Sequence, residues 1–323
     1  MERRTFLKAG VAGSLFAALS SKASAQATLP PGDMTMVVPY PPGGISDARS
    51  RLAADWLGAD FKRTVLVENV PGAAGIAGIN RMKASEPNGL TVMSAHSAGL
   101  VVVPQLSEMD YQPLSVVTPL ASLFVNPTVI LVAKDSPYKT LNDVVADAKA
   151  RPNEVTYATI GVNSVYHLMG EAINVAAGVK LTHVPYKGAA QYTVDLLAGR
   201  ISLAIGTLGT VMGNKDEVRA LAVGTAERST IAPDVPTTTE LGFPDLIMPD
   251  EAGLATHVDT PPEIVELLSE SLGRMVKDEA VKKRALEMGL DIHYLNAKDF
   301  GAYLDQQYKR IGELIAKAGL KKA

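Results

Sequence analysis

The stretch TMVVPYPPGGISD, Thr35 to Asp47, constrains the fold more than any other part of the chain. Its first half is a short Val-rich apolar run bounded by prolines, which reads as a buried strand. The second half cannot continue that strand. Pro39, Pro41 and Pro42 remove backbone donors, Gly43 and Gly44 admit backbone angles closed to other residues, and Ser46 is placed to cap a helix. A helix is expected at once, with Ile45, Ala48, Leu52 and Trp56 on one stripe and Arg49, Arg51 and Asp55 turned away from it. Strand, glycine turn and helix N-terminus together aim several free N–H groups and the positive end of a dipole into one small space, which suits an anion. The same glycines would equally serve a plain tight turn.

The residues before this stretch read as an export signal. Arg3 and Arg4 precede Phe6-Leu7-Lys8, an apolar run spans 9–19, and small residues close the segment at Ala23-Ser24-Ala25, the pattern of the twin-arginine kind. An apolar core of about 11 residues is too short to span a bilayer. Cleavage is expected after Ala25, with Ala27 as the alternative, which assigns 1–25 to the signal. The whole chain has 323 residues and a formal charge of −3; its signal carries four basic residues and one acid, so the exported part stands at −6. A mildly acidic chain without a basic run offers little to nucleic acid. The absence of cysteine excludes disulfides, thiolate metal sites and thiol nucleophiles.

From Thr35 onward, short Val- and Ile-rich runs alternate with helix-period runs. Strands are expected at Met36–Val38, Val65–Glu68, Leu90–Ser94, Val129–Ala133, Thr156–Ala158, Leu181–Val184, Ile201–Ile205 and Ala220–Gly224. Helices lie between them; Leu141–Ala150 carries a capping box in Thr140 and Asp143. After Pro261-Pro262 the chain turns mostly helical, ending in a run capped by Asn296 with Phe300, Leu304, Ile311 and Ile315 on one stripe. Such alternation marks an α/β fold with largely parallel sheets, whose ligands lie off the carboxyl ends of the strands.

Several further strand-to-helix junctions share the small-residue chemistry of the first: Asn69–Gly78, Ser94–Gly99, Thr159–Ser164, Pro185–Ala190 and Gly206–Thr210. On one sheet edge they would build a pocket of backbone amides and hydroxyls. Catalytic signatures are weak beside them. Gly72, Gly75 and Gly78 do not have the dinucleotide spacing, and no Walker lysine motif occurs. The five histidines form no H-x-x-x-H pair, so a metal would have to be held by distant residues, and neither a metal nor a cofactor is expected. His167 reads as packing or holding its loop, and His183 as satisfying a backbone group. His96 divides evenly between ligand contact and surface; Lys187 divides between a charge for an anion and an exposed loop lysine. Ser97 and Ser164 are the conceivable nucleophiles of a hydrolase, but neither sits in a G-x-S-x-G elbow, and no catalytic residue is assigned.

The segments VVPYPPGGISDARSRLAADWL, VENVPGAAGIAGINRMKASEPNGLTVM, THVPYKGAAQYTVDLLAGRISL and VRALAVGTAERSTIAPDVPTTTELGFP resemble the substrate-binding proteins of tripartite tricarboxylate transporters, the Bug or TctC-like family, in order and over nearly the whole exported chain. The resemblance implies a two-lobe periplasmic binding protein of type II, each lobe a mainly parallel sheet flanked by helices, with the ligand in the interlobe cleft. It implies a first lobe of 28–126 completed by 247–323, and a second lobe of 127–246. It also implies a monomer that captures a small carboxylate for membrane permease subunits; a sensor on the same fold is the alternative. Carried onto this chain, the first-lobe contacts would be Tyr40, Gly43, Gly44, Ser46 and Asp47, with Asp47 orienting the loop because a carboxylate repels a carboxylate. His96 and Ser97 join them. The second lobe would add Thr159, Gly161, Asn163, Ser164, Tyr186, Lys187 and Gly188, with Gly206 and Thr207 beyond.

Two departures stand out against the family pattern. Relatives often carry an acid followed by Asn where this chain has Gly206 and Thr207, which predicts a ligand without an amino group. Where relatives have a Trp-aromatic pair, this chain reads MPDEAGL, and Asp250 and Glu251 leave that rim more acidic.

Overall fold

The computed structural model describes residues 27–72, 75–162 and 164–320, so the export signal and Asn163 lie outside the described residues. The chain begins as the opening motif dictates. Strand β1 (Met34–Val38) ends at the proline-glycine turn and helix α1 (Ile45–Phe61) follows, then β2 (Val65–Asn69), α2 (Ile76–Lys83) and β3 (Thr91–His96). A π-helical turn, Ala98–Val102, runs into the short α3 (Val103–Leu106), and the long β4 (Val117–Asn126) leads out of this half.

Only Pro127 separates β4 from β5 (Thr128–Ala133), which belongs to a second sheet. There the chain alternates through α4 (Leu141–Ala150), β6 (Thr156–Thr159), α5 (Val165–Ala177), β7 (Thr182–Pro185), α6 (Ala189–Leu197), β8 (Leu203–Thr207), α7 (Leu208–Gly213) and β9 (Val218–Val223). It returns to the first sheet as β10 (Asp250–His257), then α8 (Pro262–Met275), α9 (Glu279–Glu287), β11 (Asp291–Asn296) and α10 (Ala297–Ala318). The strand orders are β11-β4-β10-β3-β1-β2 and β7-β6-β8-β5-β9.

Both sheets are mixed, which corrects the expectation of mainly parallel ones. In the first, β1 is parallel to β2 and β3, while β10 is antiparallel to β3 and β4 and β11 is antiparallel to β4. In the second, β6 is parallel to β7 and β8, while β5 is antiparallel to β8 and β9. The cause is the double crossing between sheets. A strand that passes directly from one sheet to the other arrives without a helical crossover, and a parallel connection within a sheet needs one. Strands β4, β10 and β11 were also not among the runs read as strands, because Pro119, Gly253 and a polar edge interrupt their apolar pattern.

Pleating sorts the core. Met34, Met36 and Val38 of β1 enter a cluster with Leu57 of α1, Phe124 of β4 and Leu268 and Leu272 of α8, while Val37 faces the other way. Strand β5 is buried on both faces: Ile130 and Val132 join one cluster and Val129 and Leu131 the cluster under α6 that holds Tyr192 and Leu196. One apolar cluster is continuous between the two halves, from Met93 and Leu100 through Tyr166, Leu246 and Met248 to Leu168 and Ile173. Thr140 and Asp143 do form the capping box of α4, and Asn296 Oδ1 accepts from the Asp299 amide at the start of α10. All four stripe residues of α10 are buried.

The face of α1 differs from its expected stripe. Ile45 and Ala48 are exposed, and the buried side is Asp47, Arg49, Ser50, Ala53, Ala54 and Leu57. Arg49 is therefore turned inward rather than away.

Strand β10 packs so closely on β4 that a Cβ on Gly253 would meet the Ala121 carbonyl oxygen, next to a register shift between the two strands. Gly253→Ala is expected to lower unfolding stability by about 2–3 kcal/mol, as overpacking against backbone that cannot yield does. Urea unfolding curves of the two proteins check this; coincident midpoints would refute it.

Candidate functional site

The carboxyl ends of β1 and β3 in one sheet, and of β6, β7 and β8 in the other, carry the loops singled out in the sequence. In the first loop Gly43 takes a φ of +86°, a conformation that only glycine adopts readily, and its amide donates to Asp47 Oδ2 at 3.0 Å. Asp47 gathers the loop: Arg51 Nε donates to it at 3.0 Å and Asn69 Nδ2 at 3.0 Å, and the same Asn69 amide reaches the Tyr40 carbonyl. The Arg51 hydrogen bond, helped by those of Gly43 and Asn69 against the effect of burial, holds the Asp47 carboxyl down to about 2. Ser46 does not cap α1. The cap is Gly44, no side chain closes the end, and Ser46 lies within the first turn, so the amides there keep no side-chain partner.

In the second half, Gly161 has a φ of +122° and its carbonyl accepts from both Thr159 Oγ1 at 3.0 Å and Ser164 Oγ at 2.9 Å. Ser164 also caps α5 by accepting from the His167 amide. His183 stacks on His167 with ring centroids 4.2 Å apart and meets the Thr159 hydroxyl at 2.8 Å, so it serves a side chain rather than a backbone group. Burial, with His167 alongside, pushes His183 down to about 4, which leaves it neutral at pH 7. Tyr186 donates to Asp195 Oδ2 at 2.7 Å, Lys187 is exposed, and α6 opens on Gly188 without a side-chain cap. Gly206 lies under the Tyr192 hydroxyl, and Thr207 caps α7 through Thr210.

His96 is neither on the surface nor poised at it. It is 4% exposed, its ring lies 4.8 Å from Tyr40, Ser94 Oγ sits 3.0 Å from Nε2, and Arg49 Nη2 contacts both ring nitrogens. Burial and the guanidinium keep it neutral. Ser97 Oγ accepts the Glu251 amide at 3.1 Å and contacts the Pro249 carbonyl, so it braces the start of β10.

Arg49 and Asp250 are the residues that sequence reasoning missed. Arg49 is 3% exposed and Asp250 14%, with Nη2 and Oδ2 3.9 Å apart. Arg49 Nε and Nη1 and Asp250 Oδ1 are buried with no hydrogen-bond partner among the described residues. Each such group costs about 1–3 kcal/mol relative to a satisfied one. Burial lowers the guanidinium's pKa and raises the carboxyl's, and each opposes the other's shift. The signal was available: Arg49, Ala53 and Leu57 recur every four residues, one side of a helix.

From the second half, Tyr166 in the first turn of α5 is buried against this group, its phenol pushed up by burial and then by Asp250. Voids beside these loops are small. One of about 10 Å³ touches Tyr40 and His96, another of about 10 Å³ touches Arg49 and Ser94, and one of about 20 Å³ lies between Ser97, Val165 and Met248. Each has room for about one water. A hollow of about 360 Å³ lies elsewhere, between residues 225–230, β11 and Tyr303; none of the anticipated ligand contacts lines it, though Glu251 of the expected rim does. Among the described residues no cluster of His, Asp and Glu is placed to hold a metal, and no helix is long and apolar enough to cross a membrane.

Two α/β lobes joined by crossing strands, with loops facing across the junction, define a binding protein of the periplasmic type. The model of the tripartite tricarboxylate transporter family receptor matches residues 50–320, and the chain belongs to that family of solute-binding receptors. A UPF0065 protein of Agrobacterium vitis is 34% identical over 303 residues, covering 92% of this chain and 87% of that one. The crystal structure of a TctC solute-binding protein from Polaromonas, without ligand, superposes with a TM-score of 0.80 at 27% identity, over 90% of this chain and all of that one. A protein of R. palustris with adipate superposes with a TM-score of 0.77 at 26% identity, over 90% and 98%.

Asp47 ties acid stability to the first loop. A carboxyl with a depressed folded pKa contributes stability that is complete above its unfolded value near 4 and disappears as pH falls towards about 2. Asp47→Asn should therefore flatten the pH dependence of stability between about 4 and about 2 while changing it little in slope above 5. Thermal melts across pH 2–6 read this directly; an unchanged acid limb would show that Asp47 is not held down.

Proposed function

We propose that the protein is a periplasmic receptor that captures a small organic carboxylate and delivers it, unchanged, to the membrane permease subunits of a tripartite tricarboxylate transporter. The observation that carries this reading is the pair of loop sets at the junction, from each of which a helix opens on a glycine without a side-chain cap. Helices α1 and α6 open on Gly44 and Gly188 with no side-chain cap, and Gly43 and Gly161 make the turns beside the two loops with positive φ, the Gly43 amide being held by Asp47. Dipole and free N–H groups together favour an anion. The adipate in the R. palustris neighbour is consistent with a carboxylate ligand.

The contacts on this reading are Tyr40, Gly43, Gly44 and Ser46 from one lobe, with Asp47 shaping their loop, and Thr159, Gly161, Asn163, Ser164, Tyr186, Lys187 and Gly188 from the other. On this reading the lobes divide at 126/127 and 246/247; the first division falls between β4 and β5, and the second lies in the segment between β9 and β10. The lobes part, the solute binds, and closure is favoured by as much as the solute fits the closed form better than the open one. The protein acts as a monomer and alters no bond of its solute. Ser97 and Ser164, the candidate nucleophiles, have their hydroxyls engaged in holding β10 and the Gly161 turn.

A thermal-shift screen of the exported form against mono-, di- and tricarboxylates tests this. A ligand at 100 times its dissociation constant adds about 2.7 kcal/mol of stability, and the carboxylate should be recovered chemically intact. Stabilisation by sugars or amines and not by carboxylates would overturn the reading. The same preparation, taken from the periplasm of an expressing cell, is expected to begin at Gln26 or Thr28 by intact mass; a chain beginning at Met1 would refute the export signal.

A further inference from the structure

Resting on the carboxylate reading above, we propose that Arg49 and Asp250 form a recognition subsite for a solute carrying a hydrogen-bond donor, hydroxyl or ammonium, on the carbon beside its carboxylate. Arg49 receives the carboxylate and Asp250 Oδ1 accepts from the neighbouring donor. The pair lies at the lobe junction beside a void with room for about one water, so a solute reaches it when the lobes part. Arg49 follows the β1–α1 loop, His96 ends β3 and Asp250 begins β10, so all three lie along one edge of the first sheet, the edge at which ligands of open α/β sheets bind. Tyr166 covers the same edge from the other lobe.

The two charges are arranged for a third party rather than for each other. A buried Arg–Asp pair formed for its own sake would close to hydrogen-bond distance and satisfy both oxygens with the guanidinium fork. Here the nearest approach is 3.9 Å, and among the described residues both the cation and the anion keep open valences: Nε and Nη1 on one side, Oδ1 on the other. His96 occupies only Nη2, and as a neutral ring it does not discharge the guanidinium. An acceptor group alone would satisfy Arg49 and leave Oδ1 exposed to an approaching anion. A group that presents an acceptor and a donor side by side satisfies both, and 2-hydroxy and 2-amino acids have that geometry. The acid that the loop after β8 lacks, at Gly206 and Thr207, is in this way supplied from β10. Asp250 thereby reopens the amino acids that those two positions argued against.

The test uses matched pairs of four- and six-carbon diacids that differ only at C2, such as succinate against malate and aspartate, and adipate against its 2-hydroxy and 2-amino forms. Dissociation constants come from calorimetry on the exported protein. At least one substituted acid should bind about tenfold to a hundredfold more tightly than its plain counterpart, the range for a hydrogen bond to a charged group. Which of the two substituents wins tells hydroxyl from ammonium. Asp250→Asn should abolish that preference, and Arg49→Lys should weaken all members of the pair. Since removing one partner of a buried pair can unfold a protein, the double variant Arg49→Met with Asp250→Leu provides the folded control, and it should bind plain and substituted acids alike. Equal affinity of plain and substituted acids in the unmodified protein, or a preference that survives Asp250→Asn, overturns this inference and leaves the receptor reading intact. If no acid of any pair binds, this inference falls, and the receptor reading falls with it only when the mono- and tricarboxylates of the screen fail as well.

Discussion

The chain crosses between its two sheets on neighbouring strands, and those crossings must be joined to one another or the lobes would have no common frame. The join is a short set of backbone bonds. The Gly224 amide donates to the Thr128 carbonyl at 2.7 Å, the Met248 amide to the Gly224 carbonyl at 2.8 Å, and the Thr128 hydroxyl to the Met248 carbonyl. Everything on either side hangs from these residues, which come from three separate parts of the chain. A few extended residues with little side-chain bulk between them are the sort of place where a change of backbone angle turns one lobe relative to the other. Because β5 and β10 enter their sheets at this point, the crossing also dictates the antiparallel pairs that make both sheets mixed.

From that frame the site follows by placement. The loops after β1, β3 and β6 are brought to the junction by strands that are themselves mostly buried, while β7, at the edge of its sheet, is partly exposed. Asp47 and the Gly161 carbonyl each collect two or more donors, and each fixes a loop from within. Such loops bind through amides that are already oriented, which lowers the ordering cost of capture. Charged side chains are scarce among them: Lys187 is exposed and Asp47 is engaged within its own loop.

Against that background a buried arginine is unusual. It sits on α1 where the helix faces the sheet, a position otherwise taken by Ser50, Ala53 and Leu57, and among the described residues it is half satisfied beside a half-satisfied carboxylate. Burying opposite charges at 3.9 Å gives up more hydration than their attraction returns unless other hydrogen bonds complete them. On energetic grounds this is a poor way to stabilise a lobe, and its location at the junction points to recognition instead.

The local units were legible in the chain because their causes are local. The strand, glycine turn and helix start at 35–47, the capping box at Thr140 and Asp143, the Asn296 cap and the apolar stripe of α10 all depend on residues within about one or two turns of each other, and the structure has each of them, with Gly44 instead of Ser46 as the cap of α1. The stripe of α1 was read wrongly, since hydrophobic period alone put Ile45 and Ala48 inward and Arg49 outward. What settled that face was the partner sheet, whose β3 and β10 bring Ser94, His96 and Asp250 under Arg49 from 45 to 201 residues away. Strands β4, β10 and β11 likewise become strands through pairing with distant neighbours, since Pro119 and Gly253 weaken their own pattern. Local sequence thus determined the units and the donor-rich loops, because hydrogen-bond capping and helical period act over a few residues. Tertiary structure alone decided which charge is buried and how the two sheets are joined, because those outcomes depend on desolvation by residues that the sequence holds far apart.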